Sequence, residues 1–440
     1  MMTVIMGRTN ENPVRLTDGA QVAVIGGGPA GCFFALHLLR YARQAGLRVQ
    51  VTLFEARDFS RAGPPGCGKG AGLLSFGLQR ELESFGLSLP EAVIQSKIDS
   101  YALHLADKRI EIFSPAPERK IVTVHRGRGP RLAPLGHKAS FDAWLVQAVE
   151  QAGGRIVRAV VQKLTAAERP VVTARNREYG FDLVVLANGL NSRRVSLSGF
   201  NYRPPQTETM IQDEIDRLPG DNRQAHIYFG PLEGLVFGAM VPKGDVTSVS
   251  LLGHKLGLEA VKHFAPDSAG QSYRQLCGCK PRIAASMAGN YYADRFVAVG
   301  DAAATRLYKD GIGSAFQTGR RAAYVAVHHG ISAADFERHY APLCRTIALD
   351  NFFGRLLFYA WNIAGRIPVL SWLWLQALAH EATQTNNARR CRRALWNMFT
   401  GDDSYRRIFF SLIDPRVPWF LLTVAWRFGV GRYLYQQAER

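Results

Sequence analysis

Apolar residues come in two spacings along this chain. Gln21–Ile25 (QVAVI), Val49–Phe54 (VQVTLF), Phe181–Leu186 (FDLVVL) and Arg295–Val299 (RFVAV) are short and nearly continuous, as buried strands are. Cys32–Leu39 and the stretch SAFQTGRRAAYVAV from Ser314 carry small and apolar residues suited to packed helices. Between about residues 196 and 284 the runs AHIYFG, LVFGAMV and TSVSLLG are parted by Gly, Pro and Asp turns, which predicts a second sheet. Beyond residue 345 the chain is rich in Phe, Trp, Leu and Ile and reads as helical, broken at Pro368. The order predicts an α/β protein with an added sheet and a helical extension.

At 440 residues the chain is long enough for several packed units, and 47% hydrophobic with 20% charged residues excludes a disordered tail. The net charge of +18 points to an anionic partner. Nucleic acid fits poorly, because the arginines are dispersed and no helix-turn-helix, zinc or RNP-like pattern occurs. Six cysteines are too few for a disulfide framework, and Cys277 and Cys279 lack a second ligand pair at zinc spacing, so no metal is expected. The first residues, MMTVIMGRTNENPVRL, contain no long apolar run, and a reducing cytoplasm is the expected compartment.

The first strand runs into Gly26-x-Gly28-x-x-Gly31, with Pro29 and Ala30 opening the helix. Gly26 permits the turn, Gly28 lets backbone approach a pyrophosphate, and Gly31 allows close helix–strand packing. The helix N-terminus then offers free N–H groups and its positive dipole end. The second strand ends in Glu55-Ala56-Arg57, with Glu55 near the spacing of a ribose-binding carboxylate. Together these predict a dinucleotide site.

Which dinucleotide follows from later segments. Gly300-Asp301 closes the fourth strand, and Lys309-Asp310-Gly311-Ile312-Gly313 opens the next helix. The chain here resembles the flavoprotein superfamily of geranylgeranyl reductases and para-hydroxybenzoate hydroxylase. That resemblance implies FAD, with Asp301 on the ribityl chain and Gly311-Ile312-Gly313 aimed at the flavin pyrimidine ring. Taken alone, Asp301 reads sooner as an ordinary helix N-cap, and the pairing with the N-terminal glycine fingerprint is what favours flavin. Asn188-Gly189 stands where the family has Asp-Gly, with Ser192, Arg193 and Arg194 following, and Lys138 stands where it has an arginine touching the flavin. Both replacements alter the anion-binding chemistry, since lysine lacks the guanidinium fork. The resemblance implies an FAD-binding Rossmann-like, three-layer domain at 18–195 and 285–345, with a substrate-side insertion at about 62–130. A β-sheet substrate domain at 196–284 and a basic, apolar helical region at 346–440 complete the expected order.

Phe237, Ala239, Val241 and Pro242 fall where geranylgeranyl reductases carry an aromatic-x-Trp-x-Phe-Pro-Lys signature, with Ala239 replacing the Trp. They are the expected substrate pocket. The implied reaction is hydride transfer through flavin N5 to a hydrophobic, isoprenoid-like substrate, with NAD(P)H or a partner protein as electron donor. A hydroxylase-type monooxygenase or a lipid-sensing flavoprotein are the alternatives on the same scaffold. Tyr308 and Lys309, directly before Gly311, and Cys67 in the Gly-rich loop GPPGCGKGAGLL are the catalytic candidates. Cys67 reads equally as a plain loop cysteine, and His104 and His137 are further possible acids. Arg126–Arg131 (RGRGPR) reads either as an anion site or as a solvated turn.

In the last hundred residues, uncharged runs are cut by Arg355, Arg366, Arg427 and Arg432, falling short of the ~20 residues that span a bilayer. No lysine follows Lys309. Aromatic helices flanked by arginine predict interfacial contact with an anionic membrane surface, on the inner face of the cytoplasmic membrane. A helical cap or a protein interface is the competing reading.

Overall fold

The computed structural model describes residues 14–429, apart from 68–69, 106–107, 135, 137–138, 191–194, 218–221, 231, 265–273 and 385–388. His137, Lys138, Ser192, Arg193 and Arg194 therefore lie outside the described residues. The central sheet has the order Tyr292–Ala293, Phe296–Ala298, Leu183–Leu186, Gln21–Ile25, Gln50–Phe54, Arg155–Val157, parallel except for the first pair. Its middle strands are almost wholly buried, which is why they read as continuous apolar runs.

One face carries the helices Pro29–Gln44, Phe141–Gln151 and Gly311–His328. The first and last cross closely: a Cβ on Gly319 would stand 2.9 Å from the backbone nitrogen of Phe34. Phe33 meets Phe316 edge-on at 5.1 Å in the same contact. A four-stranded sheet, Arg177–Gly180, Val171–Ala174, Val161–Thr165 and Ser196–Ser198, completes the three layers.

The second sheet has seven strands, in the order Arg282–Ala284, Thr207–Asp216, Val246–Gly253, Leu235–Lys243, Gln224–Phe229, Ser100–Leu105, Lys108–Phe113. The segment around residues 62–130 thus supplies two of its strands. Strand alternation divides its faces. Tyr101, Leu103, Ile227, Phe229, Phe237, Ala239 and Val241 share one apolar cluster with Leu357, Phe358, Trp361, Trp396 and Phe399. His104, His226 and Tyr228 stack together on the other face.

The chain ends in the helices Ala341–Arg366, Pro368–Ala382, Arg390–Thr400, Tyr405–Ile413 and Arg416–Phe428, which cap the inner face. The cap is fastened to the loop before Gly311. Asn351 accepts from the Leu307 N–H at 2.8 Å and donates to the Thr305 carbonyl at 2.9 Å. Tyr405 donates to the Leu307 carbonyl at 2.6 Å, and Arg306 donates to the Gly401 carbonyl at 2.8 Å.

Candidate functional site

Gly26 sits at φ +113, a conformation open to glycine, and a Cβ there would lie 2.5 Å from the Ala187 carbonyl oxygen. This is how the Asn188-Gly189 turn closes on the first strand. A Cβ on Gly31 would come within 1.9 Å of the Gly26 oxygen, so the helix starts hard against the strand. Gly28 differs: a Cβ there would meet only Arg57 Nη2 at 3.5 Å and Arg126 Nη2 at 3.7 Å. The helix N-terminus, with no side-chain cap, therefore opens between two guanidinium groups.

Both guanidiniums are held rigidly. Arg126 makes a two-pronged pair with the fully buried Asp142, Nε to Oδ1 at 2.6 Å and Nη2 to Oδ2 at 3.0 Å. Arg57 donates to Glu55 through Nε at 3.2 Å and Nη2 at 2.9 Å. Glu55 also accepts from the Gly27 N–H at 2.8 Å and the Arg57 N–H at 2.7 Å. Burial pushes the Glu55 carboxyl up, but Arg57 and these N–H groups outweigh it and hold it below its usual range. Glu55 thus braces the glycine turn and Arg57, using contacts that the ribose expectation left for a ligand.

The turn after Val299 lies against the same helix start. Gly300 has φ +62, and a Cβ on it would strike the Ala30 methyl at 2.5 Å. Its N–H is accepted by Thr318 Oγ1 at 2.9 Å. A Cβ on Gly311 would find only Thr305 Oγ1 at 3.7 Å and Asp301 Oδ1 at 4.0 Å. Thr305 Oγ1 is buried, and burial raises the Asp301 carboxyl against the opposing pull of the Thr305 hydroxyl beside it. Gly313 is bare because the Asp310 carboxylate oxygens would stand 2.4 Å from its Cβ. Tyr308 and Asp310 are both left-handed, at φ +61 and +54, costing on the order of 1 kcal/mol or more each. Burial lifts the Asp310 carboxyl to about 7 against the pull of Arg306. Open backbone at two helix N-termini, two braced arginines and the buried Asp301–Thr305 polar pair fit an extended pyrophosphate-bearing cofactor such as FAD.

Tyr308 and Lys309 turn toward the second sheet and the cap. Tyr308 donates to Glu208 Oε2 at 3.0 Å and packs edge-on to Phe358 at 5.1 Å. Burial and then Glu208 push its phenol well up, so it stays protonated. The Lys309 ammonium lies over Phe237 at 5.2 Å and Phe399 at 5.7 Å, with no ion pair among the described residues. Burial brings it down to about 8.

Cys67 lines a different space, a cavity of about 20 Å³ shared with His125, Arg126, Glu214, Lys243, Cys277 and Cys279. That volume accommodates one water. The buried Lys243 ammonium bonds Glu214 Oε1 at 3.1 Å, and His125 Nδ1 is 3.4 Å from the same oxygen. His125 Nε2 is buried without a partner, and burial with Lys243 brings the ring down to about 4. Burial also raises the Cys277 thiol. Asp213 Oδ1 accepts from the Cys277 and Gly278 N–H groups at 3.0 and 2.8 Å, fixing the turn between the two cysteines.

The expected substrate-pocket residues divide. Phe237, Ala239 and Val241 face the cap, whereas Pro242 lines a polar groove of about 800 Å³ on the outer face, with Arg109, Lys120, Arg223 and His226. One strand cannot present odd and even positions to one space. His104 belongs to the outer face as well, 3.1 Å from His226. Sequence reasoning did not single out Asp142, His125, Glu214 or Thr305. The available signal was slight: Thr207–Asp216 (TETMIQDEID) is polar along most of its length, and Lys243 ends an otherwise uncharged strand, LVFGAMVPK.

Solved structures share the arrangement of these strands and helices. A geranylgeranyl bacteriochlorophyll reductase-like protein from Thermoplasma acidophilum superposes with a TM-score of 0.61 at 16% identity, over 93% of this chain and all of that one. A flavoprotein/dehydrogenase from Cytophaga hutchinsonii gives 0.58 at 16%, over 96% and 100%. This is the FAD-binding flavoprotein fold. A p-nitrophenol 4-monooxygenase from Pseudomonas putida shares it at 0.54 and 14%, over 94% of this chain and 98% of that one. No family model and no curated protein sequence matches the chain. The likeness therefore lies in backbone arrangement.

Proposed function

We propose that the protein is an FAD-dependent oxidoreductase that reduces a carbon–carbon double bond of a hydrophobic, isoprenoid-like or lipid-like substrate, using NAD(P)H or a protein donor. The observation that carries the reading is open backbone at Gly28, flanked by Arg57 and Arg126, and at Gly311, flanked by Thr305 and Asp301, in two turns that meet where Gly300 packs on Ala30. When bound there, FAD supplies hydride transfer at N5. Arg57 and Arg126 hold the pyrophosphate, and Asp301 and Thr305 offer polar atoms to the chain between phosphate and ring. Lys309 brings a cation that aromatic rings rather than carboxylates surround. Its charge remains available to an anion at the helix opening. Tyr308 keeps its proton on the phenol oxygen, and Cys277 keeps its proton on sulfur. Neutral His125 presents Nε2 to the small cavity and can pass a proton through a water held there.

A hydroxylase-type monooxygenase is the second reading, supported by near-complete overlap with the nitrophenol monooxygenase fold. The test is reduction of the FAD-reconstituted protein by NAD(P)H or dithionite, with prenyl and aromatic substrates supplied anaerobically and then in air. Saturated product without oxygen supports the reductase. Substrate-stimulated oxygen uptake with a hydroxylated product supports the monooxygenase. A protein that binds no flavin refutes both.

A further inference from the structure

The helix Arg416–Phe428 packs through Val417 and Val424, both buried, and through Phe420, which stacks on His380 at 5.9 Å. Its opposite face is bare. Trp419, Leu422 and Trp426 are 72%, 64% and 88% exposed and stand at i, i+3 and i+7, which places them in one stripe. Phe410 and Ile413, on the preceding helix Tyr405–Ile413, are half-exposed. Phe410 joins Phe353 and Phe409 in an aromatic group, continuing onto the exposed Phe352. Water-facing tryptophan at this level is costly for a fold that needed only an inner packing face.

Charge decides what covers this stripe. The two helices carry Arg406, Arg407, Arg416 and Arg427 and no Asp or Glu. Asp414, in the break between them, is engaged by Arg390 at 3.5 Å. The backbone N–H groups of Arg406 and Arg416 bond Asp350 and Asp414, but the guanidiniums of Arg406, Arg416 and Arg427 have no carboxylate partner among the described residues. A second copy of the chain would set these arginines against their own mates in an isologous contact, and the neighbouring acids Asp414 and Asp403 are already engaged by Arg390 and Arg407. Indole rings with arginines at their flanks suit the headgroup boundary of an anionic bilayer. No single described helix is long and apolar enough to cross a membrane, and these two meet at a bend of 53°.

We infer that the face bearing Phe410, Ile413, Trp419, Leu422 and Trp426 docks on an anionic phospholipid bilayer. Arg406, Arg416 and Arg427 meet the headgroups, and the helices lie in the interface. The inference stands on the cap alone and does not depend on the flavin reading. If both hold, the cap ties the docked face to the Tyr308–Lys309 loop through Tyr405 and Leu307, so the substrate is a molecule dissolved in the bilayer.

The test is co-flotation of the full chain with vesicles of phosphatidylcholine alone or with phosphatidylglycerol, at low and high salt. Expected is flotation with the anionic vesicles that high salt weakens, with a blue shift of tryptophan emission and quenching by brominated lipid. A Trp419→Ser/Leu422→Ser/Trp426→Ser variant should keep the wild-type melting temperature and lose about tenfold or more in vesicle partitioning, a change of ~1.4 kcal/mol per decade. An Arg406→Gln/Arg416→Gln/Arg427→Gln variant should lose the preference for anionic lipid. Wild-type protein that stays out of both vesicle fractions overturns the inference. So does a triple-serine variant that floats unchanged, or a concentration-dependent dimer that the serines abolish without any vesicle binding.

Discussion

Replacing Lys309 by Met separates function from stability. The ammonium is buried beside two aromatic rings without a counter-ion, and burial brings it from 10.5 to about 8. In the unfolded chain it titrates normally, so between pH 8 and 10.5 the unfolded state holds more protons than the native state. Native stability therefore falls as pH drops through that window and stays low beneath it. The interval of 2.5 pH units, at ~1.36 kcal/mol each, sets the cost at up to about 3 kcal/mol at pH 7. Methionine keeps the stem and places sulfur against Phe237 and Phe399. Lys309→Met is thus expected to be more stable than wild type at pH 7 by up to about 3 kcal/mol, with the gap closing as pH rises from 8 to 10.5. Turnover should fall at least about tenfold, roughly the loss of one charge-assisted contact. Urea unfolding of both proteins from pH 7 to 10.5, beside steady-state turnover, measures each part. Normal turnover with a normal flavin spectrum refutes the role of the lysine, and a variant less stable than wild type at pH 7 refutes the electrostatics.

Asp310→Asn reverses the pH sense. The carboxyl sits near 7 in the fold against 3.8 ordinarily, so stability is lost as pH rises between those values, by up to about 4 kcal/mol. Asparagine tolerates the left-handed backbone, so the variant should gain on wild type from pH 4 to 7; a pH-independent difference in unfolding midpoints would contradict this. Gly28→Ala should fold normally yet bind FAD at least about tenfold more weakly by fluorescence titration, because its Cβ enters only the open cradle. Gly31→Ala should fail to fold, its Cβ lying 1.9 Å from the Gly26 oxygen, and soluble, flavin-binding Gly31→Ala protein would sink that contrast. Arg126→Leu should cost about 3–5 kcal/mol by stranding Asp142, with Arg126→Leu/Asp142→Leu recovering much of it and still losing FAD affinity; calorimetry and flavin retention report the two effects.

The two turns of the candidate site were legible because they are written in glycine. Gly26, Gly31, Gly300 and Gly313 are each places where a Cβ would overlap a named atom, and such positions leave a mark in any sequence. The central strands were legible for a similar reason: burial on both faces removes polar residues outright. Contacts between distant segments leave no such mark. Arg126 pairs with Asp142 across a turn and a helix start, and Glu214 with Lys243 across two strands of another sheet, so neither partner announces the other. The reading of Phe237, Ala239, Val241 and Pro242 as one pocket followed a motif and overlooked strand parity. The same parity, applied to FGAMVP, would have assigned Pro242 to the other face.

The cap explains why the loop before Gly311 departs from ordinary backbone geometry. Tyr308 and Asp310 both adopt left-handed conformations, which local sequence alone would not hold. They are kept there by groups from the last hundred residues: Asn351 on Leu307, Tyr405 on Leu307, and Gly401 and Asp403 on Arg306. A Cβ on Gly401 would press within 2.9 Å of Asp310 itself. The helices whose outer face carries Trp419 and Trp426 are therefore continuous, through Tyr405, with the groups that set Lys309 and Asp310. A force on the outer face, whether from lipid or from a mutation, reaches the site along these contacts. Asn351→Ala tests that coupling: it removes the Leu307 N–H acceptor while leaving the exposed stripe and the Gly28 cradle untouched. Its expected signature is faster proteolysis of the loop near Lys309 and lower turnover, with FAD affinity and vesicle flotation unchanged. Equal loop protection in the variant and wild type would mean that the loop holds its own shape.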